Sequence, residues 1–379
     1  MNKNKRLGLR TWIEVDTKAL KQNLRVFRSL LKPQCLIMAV VKSNAYGHGL
    51  AGFSTAADKL GVDYFGVDSA IEGMTLRKNG IKKPILVLGY TLPEMIEKAV
   101  VNNLSLSISS FSALDTLINL KLKKPVKIHI KVDTGMHRQG FLLNESNKLI
   151  KKLQVNKKKI VVEGLFTHFA SAKNPSFPSY TLKQIELFNH WKGIFKNNGF
   201  NPICHAAASA GAILFPQAQF DMVRIGAGLY GIWPSIETKG YAESKFKLQP
   251  VLSWRTILAE IKNLPKGSQI GYDCTETLEK DSVIGICPIG YWHGYPRNLS
   301  SIGKILIKGH KTKILGRVSM DMIIVDLTGI KNIKVGDEVT LIGNDGKETL
   351  SLEEFATLAD ASTYEIIDRL NPLVERIYF

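Results

Sequence analysis

The sequence predicts an α/β chain, a (β/α)8 barrel followed by a smaller, mostly β C-terminal domain. Three observations carry this. Eight short apolar runs alternate with segments of helical spacing before Gly231, and eight strand-then-helix units close such a barrel. Beyond Gly231 the helical alternation stops, and from about Leu248 short strands with turn signals take over. The 379 residues are too many for one ordinary domain and suit a barrel plus a smaller domain. We therefore expect a barrel over residues 1–243 and a β-rich domain over residues 244–379.

After a strand-like TWIEV, Thr17 to Leu31 spaces Leu20, Leu24, Phe27 and Leu31 as one helical face, with Asp16 as N-cap. The eight barrel runs are then CLIMAVV, DYFGVD, PILVLG, LSLSIS, VKIHIKV, KIVVEGLFT, NPICHAA and DMVRIG. Many of these are continuously apolar, the pattern of parallel strands covered on both faces. Between them lie helical stretches such as Thr181 to Asn197, with Leu182, Ile185, Phe188 and Trp191 in phase. WPSIETKGYAESKFKLQP reads as a connection. Short strands follow in VLSWRTILAEI, VIGICPIGY, GKILIKG, TKILGRV, MIIVDLTG and DEVTLIG, then a helical patch in SLEEFATLA.

Composition narrows the function. A hydrophobic share of 45% is ordinary for a globular protein. No run of about eighteen apolar residues occurs, and MNKNKRLGLR is not a signal peptide, so we expect a cytoplasmic enzyme without membrane partners. Cys35, Cys204, Cys274 and Cys287 form no C-x-x-C pair, which argues against a zinc site and fits free thiols. The net charge of +18, with clusters such as Lys157-Lys158-Lys159, raises nucleic acid. No recognisable module or interleaved aromatics accompany it, so solvated lysines are the preferred reading.

In such barrels chemistry gathers at the carboxyl ends of the strands. There the first strand delivers Lys42, the fifth Lys131, Asp133 and Arg138, the sixth His168, the seventh Ser209, and the eighth Arg224, Gly226 and Ala227. Taken alone, Lys42 is either a lysine reaching for solvent or an amine able to form a Schiff base. Lys131, Asp133 and Arg138 read equally as a rim ion-pair network, and His168 as a structural histidine. Ser209 and the Gly226-Ala227-Gly228 turn lie where barrels build phosphate sites.

Ala39 to Gly49, AVVKSNAYGHG, closely resembles the segment around the cofactor lysine of the bacterial alanine racemases. IHIKVDTGMHRQGF carries that family's K-x-D-T-G-M-x-R, and PIGYWHGYPR and GRVSMD follow in the family's order. The resemblance implies a TIM-like barrel, pyridoxal 5'-phosphate as cofactor, a homodimer with shared sites, and alanine as substrate. By the same resemblance Lys42 binds the cofactor covalently and is one base, and Tyr272 of the partner subunit is the other. Arg224 faces the pyridine nitrogen, and His168 links Arg224 to the tyrosine. Arg138 sits beside the phenolic oxygen, and Lys131, carbamylated, pairs with it. Tyr46, Ser209, Gly226 and Ala227 hold the cofactor, Tyr291 lines the entry, and Met320 contacts the substrate carboxylate region. An arginine at the ring nitrogen weakens the electron sink, which suits proton exchange at Cα.

Four positions depart from the family pattern. His137 stands where glycine is common, Ala208 where asparagine precedes the serine, Asp273 where glycine follows the tyrosine, and His293 within the family's Y-A-D-G. They leave open a preference for serine, lysine or several amino acids. A non-catalytic cofactor-binding protein and a decarboxylase are the other classes; the β-rich domain speaks against the first and Arg224 against the second. The expected activity is interconversion of L- and D-alanine, supplying D-alanine for peptidoglycan.

Overall fold

A computed structural model describes residues 6–379; residues 1–5, where the expected barrel domain and the N-terminal reading begin, lie outside the described residues. The chain forms two compact units, one of Ala19–Ala45 and Leu50–Gln249, the other of the segment ending at Lys18, Tyr46–Gly49 and Pro250–Phe379.

The first unit is a closed parallel barrel of eight strands. These are β2 (Leu36–Val40), β3 (Tyr64–Val67), β4 (Ile85–Val87), β5 (Ser105–Ile108), β6 (Val126–Lys131), β7 (Ile160–Phe166), β8 (Ile203–Ala208) and β9 (Met222–Ile225), numbered from the N-terminal strand β1 (Thr11–Val15) of the second unit. Each pairs with the next, and β9 closes on β2 through Leu36 opposite Met222. The eight runs read from the sequence are these eight strands. β3, β4 and β9 are buried at every residue, which is why their runs carry no polar alternation. Met38, Tyr64, Leu86 and Met222 meet in one interior cluster. In the helix Ser179–Asn197, Ile185, Phe188, Trp191 and Phe195 are buried, whereas Leu182 faces solvent.

In the second unit one sheet path runs Glu260–Leu264, Ser282–Cys287, Ile323–Asp326, His310–Leu315, Lys304–Ile307, Glu338–Asp345, Leu252–Ile257, β1 and Glu375–Tyr378. β1 therefore joins the C-terminal sheet, antiparallel to Leu252–Ile257 and parallel to Glu375–Tyr378. Trp254, Tyr295 and Phe355 pack into its core in tilted and edge-to-face contacts, with ring centroids 5.4 to 6.3 Å apart. The segment Tyr46–Gly49 is built into this unit: Arg376 Nε and Nη2 donate to Gly47 O at 3.1 and 3.0 Å, and Tyr378 OH donates to His48 O at 2.6 Å.

Candidate active site

The barrel brings Lys42, Lys131, Arg138, His168, Ser209 and Arg224 to its carboxyl rim. Lys42 follows β2 after a single residue, Val41, and is half-buried. The chain then turns through four successive left-handed residues, Ser43, Asn44, Ala45 and Tyr46, at φ near +50°. Such a run costs about 1–2 kcal/mol per residue for L-amino acids, so its neighbours must hold it.

Arg224, at the carboxyl end of β9, is buried among acceptors. Its Nη2 donates to Thr167 O and Ala206 O at 2.8 Å and to His168 Nδ1 at 3.1 Å. Nη1 donates to His205 Nδ1 at 2.9 Å and His205 O at 3.1 Å. Burial lowers its pKa, but this set of acceptors is complementary only to a guanidinium, so Arg224 is a cation. Arginine has no acceptor, so both Nδ1 atoms are unprotonated. Burial, reinforced by Arg224, Arg138, Lys131 and Lys42, holds His168 neutral with a pKa of about 3.

The hydrogen bonds continue inward. His205 Nε2 donates to His129 Nδ1 at 2.9 Å, and His129 Nε2 to Glu163 Oε2 at 3.3 Å. Burial holds both histidines neutral. Burial also pushes the Glu163 carboxyl up, but hydrogen bonds from His129, Ser105 and Tyr64 outweigh it and keep the group ionised. Gly164, opposite His129 in the sheet, makes the room: a Cβ there would lie 2.0 Å from His129 Nδ1. Polar letters inside the runs VKIHIKV, KIVVEGLFT and NPICHAA were the available signal for this chain of groups, and sequence reasoning passed over it.

Lys131, Arg138, Gln139, Thr167 and His168 line one small cleft. Lys131 is buried, its Nζ donates to Gln139 Oε1 at 3.0 Å, and burial with Arg138 and Arg224 lowers its pKa to about 8. Arg138 is exposed. The preceding His137 takes φ +53°, the backbone that glycine adopts freely. Asp133 compensates here, accepting from His137 N at 3.1 Å while its Oδ2 lies 3.4 Å from His137 Nδ1.

Ser209 opens the short helix Ser209–Leu214, is buried, and accepts from Gly228 N at 3.2 Å, joining the serine to the turn that holds Gly226 and Ala227. Ala208 ends β8.

The other unit carries the remaining predicted residues. Tyr272, exposed, sits in the loop between the paired strands Gln269–Ile270 and Glu276–Thr277, beside Asp273 at φ +58°. Asp273 pairs with Arg317 at 3.2 Å. Tyr291 and Met320 lie on adjoining segments, with Trp292 N donating to Met320 O at 3.0 Å, and both side chains are exposed. His293 is buried and its Nδ1 accepts from Gly290 N at 3.2 Å. An aspartate carboxylate can accept the same N–H, which explains why this departure is tolerated. Tyr46 lies with its ring 6.1 Å from that of Tyr364.

Two family models match this chain, the alanine racemase N-terminal domain over residues 15–234 and the alanine racemase C-terminal domain over residues 251–378. An alanine racemase of Methanococcus maripaludis is 40% identical over 371 residues, covering 97% of this chain and 98% of that protein. One from Symbiobacterium thermophilum is also 40% identical, over 98% of both. Among solved structures, the Bacillus anthracis alanine racemase with bound L-Ala-P superposes with a TM-score of 0.92 at 34% identity, over 98% of this chain and 95% of that one. The Clostridium difficile alanine racemase in complex with cycloserine gives 0.90 at 31% identity, over 98% and 96%. Matched along nearly its whole length in both sequence and fold, the chain belongs to the alanine racemase family of isomerases.

Proposed function

We propose that this protein interconverts L- and D-alanine with pyridoxal 5'-phosphate, as a homodimer in which Lys42 is one base and Tyr272 of the partner subunit the other, and that it supplies D-alanine for peptidoglycan. The observation that carries the reading is Arg224, a buried cation fixed by backbone carbonyls and two neutral imidazoles on the same rim as Lys42.

The donor set fits the cofactor. A primary amine suits its aldehyde, the Ser209 hydroxyl with the Gly226-Ala227 turn and Tyr46 suit its phosphate, and Arg224 suits its ring nitrogen. When bound, pyridoxal phosphate supplies the electron-withdrawing ring that acidifies the α-hydrogen of an amino acid. Arg224 stays charged and donates, so it leaves the ring nitrogen unprotonated and restrains side reactions.

Racemisation needs a base on each face of Cα. Lys42 Nζ takes or returns the proton on one face, and the Tyr272 hydroxyl oxygen of the partner subunit on the other. His168 accepts from Arg224 at Nδ1, so its proton resides on Nε2, from which it donates to that tyrosine oxygen. Lys131, with a pKa of about 8, presents enough free amine to add carbon dioxide. Its nitrogen bonds the carbon, one proton leaves to solvent, and the resulting carbamate pairs with Arg138, which orients the substrate. Tyr291 and Met320 line the approach. The protein works in the cytoplasm; no described helix is long and apolar enough to cross a membrane.

Purified protein loaded with pyridoxal phosphate and incubated separately with L-alanine, L-serine and L-lysine, followed by chiral analysis, tests this. D-alanine should form fastest. Borohydride reduction should fix the cofactor mass on the peptide bearing Lys42, and Lys42→Ala should abolish it. A reducible adduct elsewhere, or no D-product from any amino acid, refutes the assignment. Tyr272→Phe should cripple exchange on one face only; equal loss in both directions of solvent isotope exchange counts against the second base.

A further inference from the structure

We propose that Glu72 is a positioning residue for Lys42, a role that rests on the reading of Lys42 above. Glu72 lies in the first turn of the helix Ala70–Lys78, which follows β3 and is capped by Ser69. Its carboxylate spans two strand ends. Oε1 accepts from Ser43 N at 2.8 Å, and Oε2 accepts from Asp68 N at 2.8 Å. Ser43 is the residue after Lys42 and the first of the left-handed run. An isolated run of four such residues reverts to right-handed or extended backbone unless its surroundings over-determine it.

Local bonds brace this one along its length. Ala45 N donates to Val41 O at 2.9 Å, and Asn44 Oδ1 accepts from Leu50 N at 2.8 Å, bracing the middle of the turn. At its start the side-chain brace is Glu72. The Ser43 amide hydrogen and the Lys42 carbonyl belong to one rigid peptide plane, so holding the amide fixes ψ of Lys42. The lysine side chain then leaves β2 in one direction. Because the other carboxylate oxygen is tied to the end of β3, the turn is held in register with the neighbouring strand rather than with solvent. A base displaced by about 1 Å loses on the order of a hundredfold in rate, which is the selective use of such a brace.

The test pairs Glu72→Ala and Glu72→Gln with Ser69→Ala. Ser69→Ala removes the cap of the same helix, a bond that Ser69 Oγ accepts from Glu72 N at 3.3 Å, and spares both bonds to the Glu72 carboxylate, so it reports what helix destabilisation without loss of the carboxylate does. Three readouts are taken: amide hydrogen exchange of the peptide spanning residues 41–46 in cofactor-free protein, and, in the holoenzyme, steady-state racemisation and the pH titration of the cofactor's visible band. Glu72→Ala should speed exchange at Ser43 about tenfold or more, lower kcat by about tenfold with KM for alanine within about twofold, and shift the midpoint of the band. Glu72→Gln, which keeps one acceptor, should fall between. Ser69→Ala should lower the unfolding midpoint and leave all three readouts at the parent's values. Parent-like exchange and kcat in Glu72→Ala overturns the proposal, as does Ser69→Ala reproducing its changes. Exchange is read without cofactor or turnover, so a parent that fails to racemise alanine overturns the functional reading alone.

Discussion

Replacing Lys131 by methionine reads the chemical state of that side chain through stability. Lys131 is 7% exposed, and burial, with Arg138 and Arg224 adding to it, brings its pKa from 10.5 to about 8. That displacement corresponds to about 3 kcal/mol of preference for the neutral amine. Between pH 8 and 10.5 the unfolded chain holds a proton that the folded chain has released, so stability rises with pH across that window. Below about pH 8 the folded protein carries the buried charge at nearly full cost. Methionine matches the length without the charge. At pH 7 in buffer free of carbon dioxide, Lys131→Met should therefore gain about 2 kcal/mol, after about 1 kcal/mol for the lost hydrogen bond to Gln139. Carbamylation reverses the balance, because an anion among Arg138 and Arg224 is stabilised where a cation is not. Bicarbonate should then raise the parent's stability, by about 1.4 kcal/mol once carbon dioxide is tenfold above its dissociation constant, and leave the variant unmoved. Guanidinium unfolding followed by tryptophan fluorescence, in degassed and bicarbonate buffers of equal ionic strength, measures both. A variant less stable than the parent in degassed buffer refutes the picture of an amine held at a cost; equal responses to bicarbonate refute a carbamate at Lys131.

The remaining predictions concern backbone, packing and acid. His137→Gly should be neutral to slightly stabilising, whereas His137→Val, a β-branched residue at φ +53°, should lose about 2 kcal/mol relative to the glycine variant in denaturant unfolding. Gly164→Ala forces a methyl against His129 and should cost on the order of 1–3 kcal/mol, with exchange rates rising around β6 and β7. His129, His168, His205 and His293 are all held below the ordinary 6.5 by burial first. As pH falls below 6.5 the unfolded chain takes up these protons before the folded one does, so stability should fall steeply from pH 6.5 downward. His293→Asp should keep the acceptor for Gly290 N and remove one proton from that slope; an unchanged slope would show that His293 does not contribute to it.

What was legible in the sequence follows from how local the cause is. Most barrel strands are largely apolar runs, and β3, β4 and β9 are buried at every residue, so such runs announced themselves without their neighbours, and the strands' carboxyl ends pointed to Lys42, Lys131, His168, Ser209 and Arg224. The partners of β1 were not legible. A strand-like five-residue segment says strand, but its pairing with Leu252–Ile257 and Glu375–Tyr378 depends on contacts more than two hundred residues away. Glu72 was equally hidden. An acidic residue in a helix's first turn is what the helix dipole favours anyway, and only the fold brings Ser43 N onto it. His137 looked like a substitution affecting the site; its backbone angle and the Asp133 bonds show it filling a glycine's conformation.

The polar chain inside the barrel combines both cases, and its hydrogen bonding leaves one proton arrangement. Arg224 accepts nothing, so His205 Nδ1 is bare and its proton lies on Nε2. His129 must then receive at Nδ1 and donate from Nε2, and Glu163 must be the acceptor at the end. Tyr64 donates to the same Glu163 oxygen at 2.7 Å, and Lys127 pairs with the other at 3.1 Å. A proton added to either histidine would turn an acceptor into a donor facing a donor, with no water-exposed route to relax. The orientation of Arg224 is thus set by a carboxylate several residues deep in the barrel, and a substitution such as His129→Leu should loosen the arginine without touching the rim. The expected sign is a raised His168 pKa, readable by NMR titration, because an Arg224 free to swing outward stops donating to the neutral imidazole. A His168 pKa unchanged in that variant would mean that the three carbonyl oxygens alone hold the guanidinium in place.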